Sequence, residues 1–396
     1  MLNLSHLLCG QRSGSEELRY GHVRTARSSG DPPRPVVVWA LTQTCNLKCV
    51  HCYASAASAP APDELSLHEG FALLEDLKAF GVPAVLFSGG EPLARPDALQ
   101  LIGYARRIGL NATLSTNGLL INDRMADSLA DLDLRYVGIS LDGRKDVHDK
   151  LRGMRGAFDG TLAGIRRCQE RGLKVGLRFT VHALNLQDLD FIFDFCLEQG
   201  IQRLCVYHLA YAGRGNQFRR YDLEPNRSRS VVERIMHRVV QAISEGHKLE
   251  VLTVANHADA AMALLWLERH RPERLEEADR LLRGTGGNRS GCHIASIGPR
   301  GSVHYDQFSW HYAVGNVRRE PFSQIWTEAR DPRLAILRDR QAHLPARCRA
   351  CRFLTVCNGN LRTRAESATG DWLALDPACY LDSEECATIE STRVSE

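Results

Sequence analysis

The chain has 396 residues, 44% of them hydrophobic and 24% charged, with a formal net charge of +3. That length supplies core for one large domain or two smaller ones, and so small a charge excludes nucleic acid or an anionic membrane as an expected partner. No apolar run approaches the roughly 20 residues that span a bilayer. The start, MLNLSHLLCGQRSGSEELRYG, has no basic n-region or small-residue cleavage site, so a cytoplasmic protein is expected.

Residues 1–34 read as an N-terminal extension. From residue 35 to 212 short apolar runs alternate with amphipathic segments. The runs are PVVVWAL (35–41), AVLFSGG (84–90), NATLSTNG (111–118), YVGISLDG (136–143), KVGLRFTV (174–181) and RLCVYHLA (203–210). Segments between them, such as SLHEGFALLEDLKAF and TLAGIRRCQERG, carry apolar residues at helical spacing and often stop at glycine. Such alternation predicts an α/β fold with a parallel sheet. Six units suit either a doubly wound sheet or an open partial barrel, and periodicity does not choose between them.

Residues 213–290 read as a loop and helical connector, with a glycine- and arginine-rich loop over 213–230 and helices near 229–246 and 257–283. GTGGNRSG (284–291) is the candidate domain boundary. A C-terminal domain over 291–386 opens with IASIGPRGSVHYDQ, a hairpin expected to turn at Pro299–Gly301, and 387–396 reads as a loose tail.

Thirteen cysteines cannot all pair within one chain, and no secretory signal supports a disulfide framework. Their grouping points to metal. CNLKCVHC places Cys45, Cys49 and Cys52 directly after the first strand. Three thiolates can hold three irons of a cubane and leave the fourth open to a small molecule, whereas electron-transfer clusters use four cysteines. Zinc would want a fourth ligand in the same loop, and His51, between two of the cysteines, is badly placed to supply it. A second group, Cys348, Cys351, Cys357 and Cys379, suits a fully ligated [4Fe-4S] cluster or a four-cysteine zinc site. The other six cysteines, Cys292 and Cys386 among them, read as core or surface residues.

The first cysteine group, followed at the next strand end by Ser88-Gly89-Gly90-Glu91-Pro92, resembles the radical S-adenosylmethionine (SAM) superfamily. The resemblance implies a partial (β/α)6 barrel and a SAM-binding [4Fe-4S] cluster on Cys45, Cys49 and Cys52. It also implies that the Gly89, Gly90 and Glu91 segment binds the methionine amino group. Ser115, Asn117, Ser140 and Asp142, at strand ends where ligands of parallel α/β folds bind, would hold other parts of SAM, and Arg152 its carboxylate. Taken alone, these residues read equally as turn and cap chemistry.

The second cysteine group resembles the auxiliary cluster of SPASM and twitch domains, which implies a second [4Fe-4S] cluster. Tyr305, Asp306 and Gln307 stand where a full SPASM hairpin would carry a cysteine, so one auxiliary cluster is expected, with Cys292 a lone thiol. Segments including HLAYAGRGN, SVHYDQFSWHYAVGNV and CRACRFLTVCNGNLRTRA resemble a narrower group, the NirJ-type proteins of heme d1 biosynthesis, relatives of the alternative heme synthases. That resemblance implies removal of two propionates from 12,18-didecarboxysiroheme, with electrons from a donor such as a ferredoxin or flavodoxin. An iron tetrapyrrole bearing carboxylates wants arginines, apolar walls and an axial ligand. Arg214, Arg219 and Arg220, with His208 and Tyr211, follow the sixth strand, and His304 and His311 flank Trp310. The rival readings are a peptide maturase with a SPASM domain and a related decarboxylase of alternative heme biosynthesis; an electron carrier gains nothing from an open iron.

Overall fold

The computed structural model describes residues 1–12, 33–134 and 136–387. Its strands are β1 (Leu2–Asn3), β2 (Val36–Ala40), β3 (Val85–Ser88), β4 (Ala112–Thr116), β5 (Val137–Ser140), β6 (Val175–Val181), β7 (Arg203–His208), β8 (Glu250–Val254), β9 (Ile294–Ile297), β10 (Ser302–His304) and β11 (Gly315–Asn316). They form one sheet in the order β1-β8-β7-β6-β5-β4-β3-β2-β9-β10-β11. The six expected runs are β2 to β7, and each pairs in parallel with the next. Runs such as VVVWA are apolar on both faces because helices cover one side and the barrel interior the other.

The helices start and stop where local chemistry dictates. Leu67–Phe80 opens with a capping box between Ser66 and Glu69 and ends at Gly81 in the left-handed region, φ 84°. The result is the expected partial (β/α)6 barrel, open at both edges, with strand C-termini gathered at one end.

Three features extend that plan. Residues 250–254, between the two expected helices, form a seventh parallel strand beside β7. Its EVLTV segment is buried throughout, but it is short and carries a charged first residue, which hides it among helical neighbours. The chain's first nine residues are not a separate extension. β1 pairs antiparallel with β8, and helix Leu4–Cys9 buries Leu4, Leu7 and Leu8 completely. The rest of the expected extension, residues 13–32, lies outside the described residues, as does the expected tail beyond Ala387.

The hairpin β9–β10 turns as expected, with Gly301 at φ 81°. β9 also pairs in parallel with β2, Val36 opposite Ile294 and Trp39 opposite Ile297. One sheet therefore runs from the barrel into the C-terminal part. The glycine-rich 284–291 stretch packs rather than dangles: a Cβ on Gly287 would collide with the Cys357 backbone, and the Asn288 N–H donates to the Cys357 carbonyl at 3.1 Å. No helix among the described residues is long and apolar enough to cross a membrane.

Candidate active site

Cys45, Cys49 and Cys52 lie on the loop after β2 and line one cavity at the C-terminal ends of the strands, about 1160 Å³ of open space. The loop is closed on itself, since the Cys45 N–H donates to Ala57 O at 2.7 Å and the Ala57 N–H to Gln43 O at 3.0 Å. It is also gripped from outside. Arg214 Nε donates to Cys49 O at 2.8 Å and Nη1 to Ala56 O at 2.7 Å. Gly213 sits so close that a Cβ would stand 2.5 Å from Tyr53 O. The GRG segment after β7 is thus a brace for the cysteine loop. Burial pushes the Cys45 thiol up to about 11, and burial likewise raises Cys49. Bound iron would reverse that balance.

Gly89 and Gly90 line the cavity, but their lack of side chains serves the backbone first. A Cβ on Gly89 would lie 2.6 Å from Thr42 O, and one on Gly90 would overlap Thr44 O. The close approach lets the Gly90 N–H reach Thr42 O at 2.8 Å and the Glu91 N–H reach Thr44 O at 2.7 Å, locking the end of β3 to the cysteine loop. Glu91 points away from the cavity. Its carboxylate accepts from Thr116 Oγ1 at 2.7 Å, the Asn117 N–H at 2.8 Å and the Leu93 N–H at 3.2 Å, and burial pushes its pKa up to about 7.

Ser115, Asn117, Ser140 and Arg152 line the cavity together with the cysteines. Asn117 Nδ2 also donates to Asn46 Oδ1 at 2.7 Å, tying β4 to the cysteine loop. Asp142 does not join them. It lies beyond the end of β5 and is wholly buried, 2.7 Å from Arg152 Nη2 and 3.2 Å from His51 Nε2. Burial alone would raise its carboxyl, yet Arg152 and His51 hold it well below the usual carboxylate range. Arg152 in turn points Nη1 at Cys49 Sγ, 3.7 Å away.

Of the residues expected near a substrate, His208 and Arg214 line the cavity and Tyr211 does not; it packs in a small apolar cluster with Leu151, Leu209 and Phe218. Arg219 donates to Ser367 O at the surface, His304 Nδ1 meets Tyr312 O, and His311 pairs with Glu366. None of these three lines the cavity. In their place stand Tyr207, Gln307, Phe308 and Arg178. Arg178 donates to Ser115 Oγ, stacks over the Tyr207 ring, and forms no ion pair among the described residues. Gly138 makes room for it, as a Cβ there would fall 2.5 Å from Arg178 Nε. A charged residue in the middle of the apolar run KVGLRFTV was the available signal.

A second pocket of about 420 Å³ gathers Cys348, Cys351, Cys357 and Cys379. Cys386, expected among the scattered thiols, lines it as a fifth, carried there by the short capped helix Ser383–Cys386. Burial pushes Cys351 up to about 12, and Cys386 beside it adds to the shift. Cys292 lines neither pocket; its Sγ lies 3.8 Å from Leu337 O. Among the described residues no three Cys, His, Asp or Glu side chains converge on a single-ion site. The thiols of both groups instead surround larger spaces, an arrangement that fits clusters.

Residues 39–196 match the family model described as the radical SAM superfamily. The chain is 47% identical, over 99% of its length and 100% of the relative's, to the Fe-coproporphyrin III synthase of Methanosarcina barkeri. The chain belongs to the radical SAM superfamily. This radical SAM chain is also 42% identical, over 93% of its length and 91% of the relative's, to the pre-heme d1 synthase of Dinoroseobacter shibae. Among solved structures it superposes on Streptococcus suis SuiB bound to its precursor peptide SuiA with a TM-score of 0.70, covering 88% of this chain and 76% of that one at 18% identity. That likeness is one of fold. Radical SAM enzymes bind SAM and a [4Fe-4S] cluster, and the three-thiol cavity has the donors for both.

Proposed function

We propose that this radical SAM enzyme acts on a carboxylate-bearing iron tetrapyrrole, on the heme d1 route, removing two propionates from 12,18-didecarboxysiroheme. The observation that carries the reading is the end-to-end similarity to two relatives whose names both concern iron porphyrins or heme d1. Cys45, Cys49 and Cys52 would hold a [4Fe-4S] cluster that, with SAM bound, would supply the radical chemistry for hydrogen abstraction. The chain's own residues do the rest. Ser115, Asn117, Ser140 and Arg152 hold SAM, Gly89 and Gly90 bring β3 against the cysteine loop, and Asp142 and Glu91 support them from behind. Arg178, a half-buried cation with no ion pair among the described residues, supplies a site for a substrate carboxylate. Tyr207 and Phe308 give the cavity aromatic wall, and the second cysteine group holds an auxiliary [4Fe-4S] cluster.

A second reading, formation of Fe-coproporphyrin III, is favoured by the 47% identity over essentially both whole chains. Both are tested by incubating reconstituted, reduced enzyme with SAM and didecarboxysiroheme and recording product mass. Loss of two propionates supports the first reading, Fe-coproporphyrin III the second, and an unchanged tetrapyrrole removes both.

A further inference from the structure

His208 ends β7 and lines the cavity that holds the three cysteines. Its ring is not free to turn. Nε2 meets Asp259 Oδ2 at 2.9 Å, and the other carboxylate oxygen of Asp259 accepts the Tyr380 hydroxyl at 2.6 Å. Asp259 is completely buried, and His208 and Tyr380 are nearly so. The carboxylate only accepts, so Nε2 carries the N–H that meets it. Nδ1 is then the nitrogen left to bind a metal; it has no hydrogen-bond partner among the described residues and belongs to a side chain that lines the cavity.

Two residues distant in sequence, Asp259 and Tyr380, thus hold the His208 imidazole in one orientation. The arrangement is what a metal-ligating histidine requires: one ring nitrogen donating to a carboxylate that is itself hydrogen-bonded, and the other presented as a base. The cavity's own thiols do not need it, for the three cysteines already form a complete set for a cluster with one open iron. The metal that remains is the one a substrate brings.

We propose that His208 Nδ1 is the axial ligand of the substrate's tetrapyrrole iron, with Asp259 and Tyr380 as positioning residues that fix its tautomer and aim. The proposal rests on the tetrapyrrole reading above. It explains why a buried Asp–Tyr pair lies behind the cavity wall at His208. It also places the ligand-holding network next to the second cysteine group, since Tyr380 directly follows Cys379.

The test is a binding titration with the full, cluster-reconstituted chain without SAM, using ferric coproporphyrin III and metal-free coproporphyrin III in parallel. Wild type is expected to bind both, with a histidine-ligated absorption and paramagnetic resonance spectrum for the ferric form. His208→Ala should lose that spectrum, recover it on adding free imidazole, and bind the ferric form about 10- to 100-fold more weakly while binding the metal-free form as before. Asp259→Asn and Tyr380→Phe should leave the ligand in place but weaken ferric binding on the order of 10-fold and shift the spectrum. Retained metal-free binding shows that each variant is folded. An unchanged ferric spectrum in His208→Ala overturns the proposal and leaves the tetrapyrrole reading standing. Failure of wild type to bind either porphyrin overturns the reading and, with it, the proposal.

Discussion

Nη2 of Arg152 lies 2.7 Å from Oδ2 of Asp142, whose carboxylate is completely buried. The same guanidinium reaches Cys49 Sγ through Nη1, and the same carboxylate meets His51. The pair sets the angle at which Arg152 enters the cavity. Asp142→Asn leaves a buried cation without its partner, a change that costs about 3–5 kcal/mol. Denaturant unfolding of the variant should show that loss, and equilibrium dialysis should show weakened SAM binding. Unchanged values in both would mean that Arg152 is positioned by something else.

Arg214 offers a separation of roles. It donates to Cys49 O and Ala56 O, and each such charged hydrogen bond contributes about 1.5–3 kcal/mol. Arg214→Ala is expected to lower iron occupancy at the first cysteine group while the second keeps its iron, as read by iron analysis and Mössbauer spectroscopy. Arg214→Lys should restore only part, since an ammonium cannot fork to two carbonyls as a guanidinium does. Equal loss at both cysteine groups would contradict the brace.

The six barrel strands were legible because each is a short apolar run set between segments of helical spacing, and the first cysteine group was legible because its three thiols fall within eight residues. What stayed hidden depends on direction and distance. Glu91 and Asp142 fall at strand ends like Ser115 and Ser140, yet both face inward to protein, where Thr116 and Arg152 meet them. No spacing rule distinguishes a side chain just past a strand from one on it. Arg214 read as a carboxylate binder because its backbone partners, Cys49 and Ala56, lie more than 150 residues earlier. Asp259 and Tyr380 gave no signal at all, since 51 and 121 residues separate the partners that make them meaningful.

Glu91 predicts a pH dependence. Its carboxyl is raised from 4.5 to about 7 by burial, so the folded chain keeps a proton that the unfolded chain has already lost. The stabilisation is complete below pH 4.5 and disappears as pH rises through 7. Across that window wild type should lose on the order of 3 kcal/mol from this group. Urea unfolding of SAM-free protein between pH 5 and 8 should show the slope, and Glu91→Gln should flatten it. An equal slope in both proteins would assign the dependence to other groups.

Arg178 should trade stability for binding. Holding a half-buried cation without an ion pair among the described residues is costly, so Arg178→Met is expected to stabilise the ligand-free chain by about 1 kcal/mol in denaturant unfolding. The same change should weaken tetrapyrrole binding about 30-fold or more, as loss of a charge partner does, and weaken SAM binding far less, through the lost hydrogen bond to Ser115. Loss of SAM affinity instead would move Arg178 from the substrate to the cofactor.

The most direct measurement follows 5′-deoxyadenosine and tetrapyrrole mass together in anaerobic, reduced, cluster-loaded enzyme supplied with SAM and didecarboxysiroheme. Deoxyadenosine should accumulate in step with loss of side-chain mass from the tetrapyrrole, and Cys49→Ala should abolish both. Deoxyadenosine with an unaltered tetrapyrrole would contradict the proposed substrate, and its absence from fully loaded, reduced protein would contradict radical SAM chemistry in this chain.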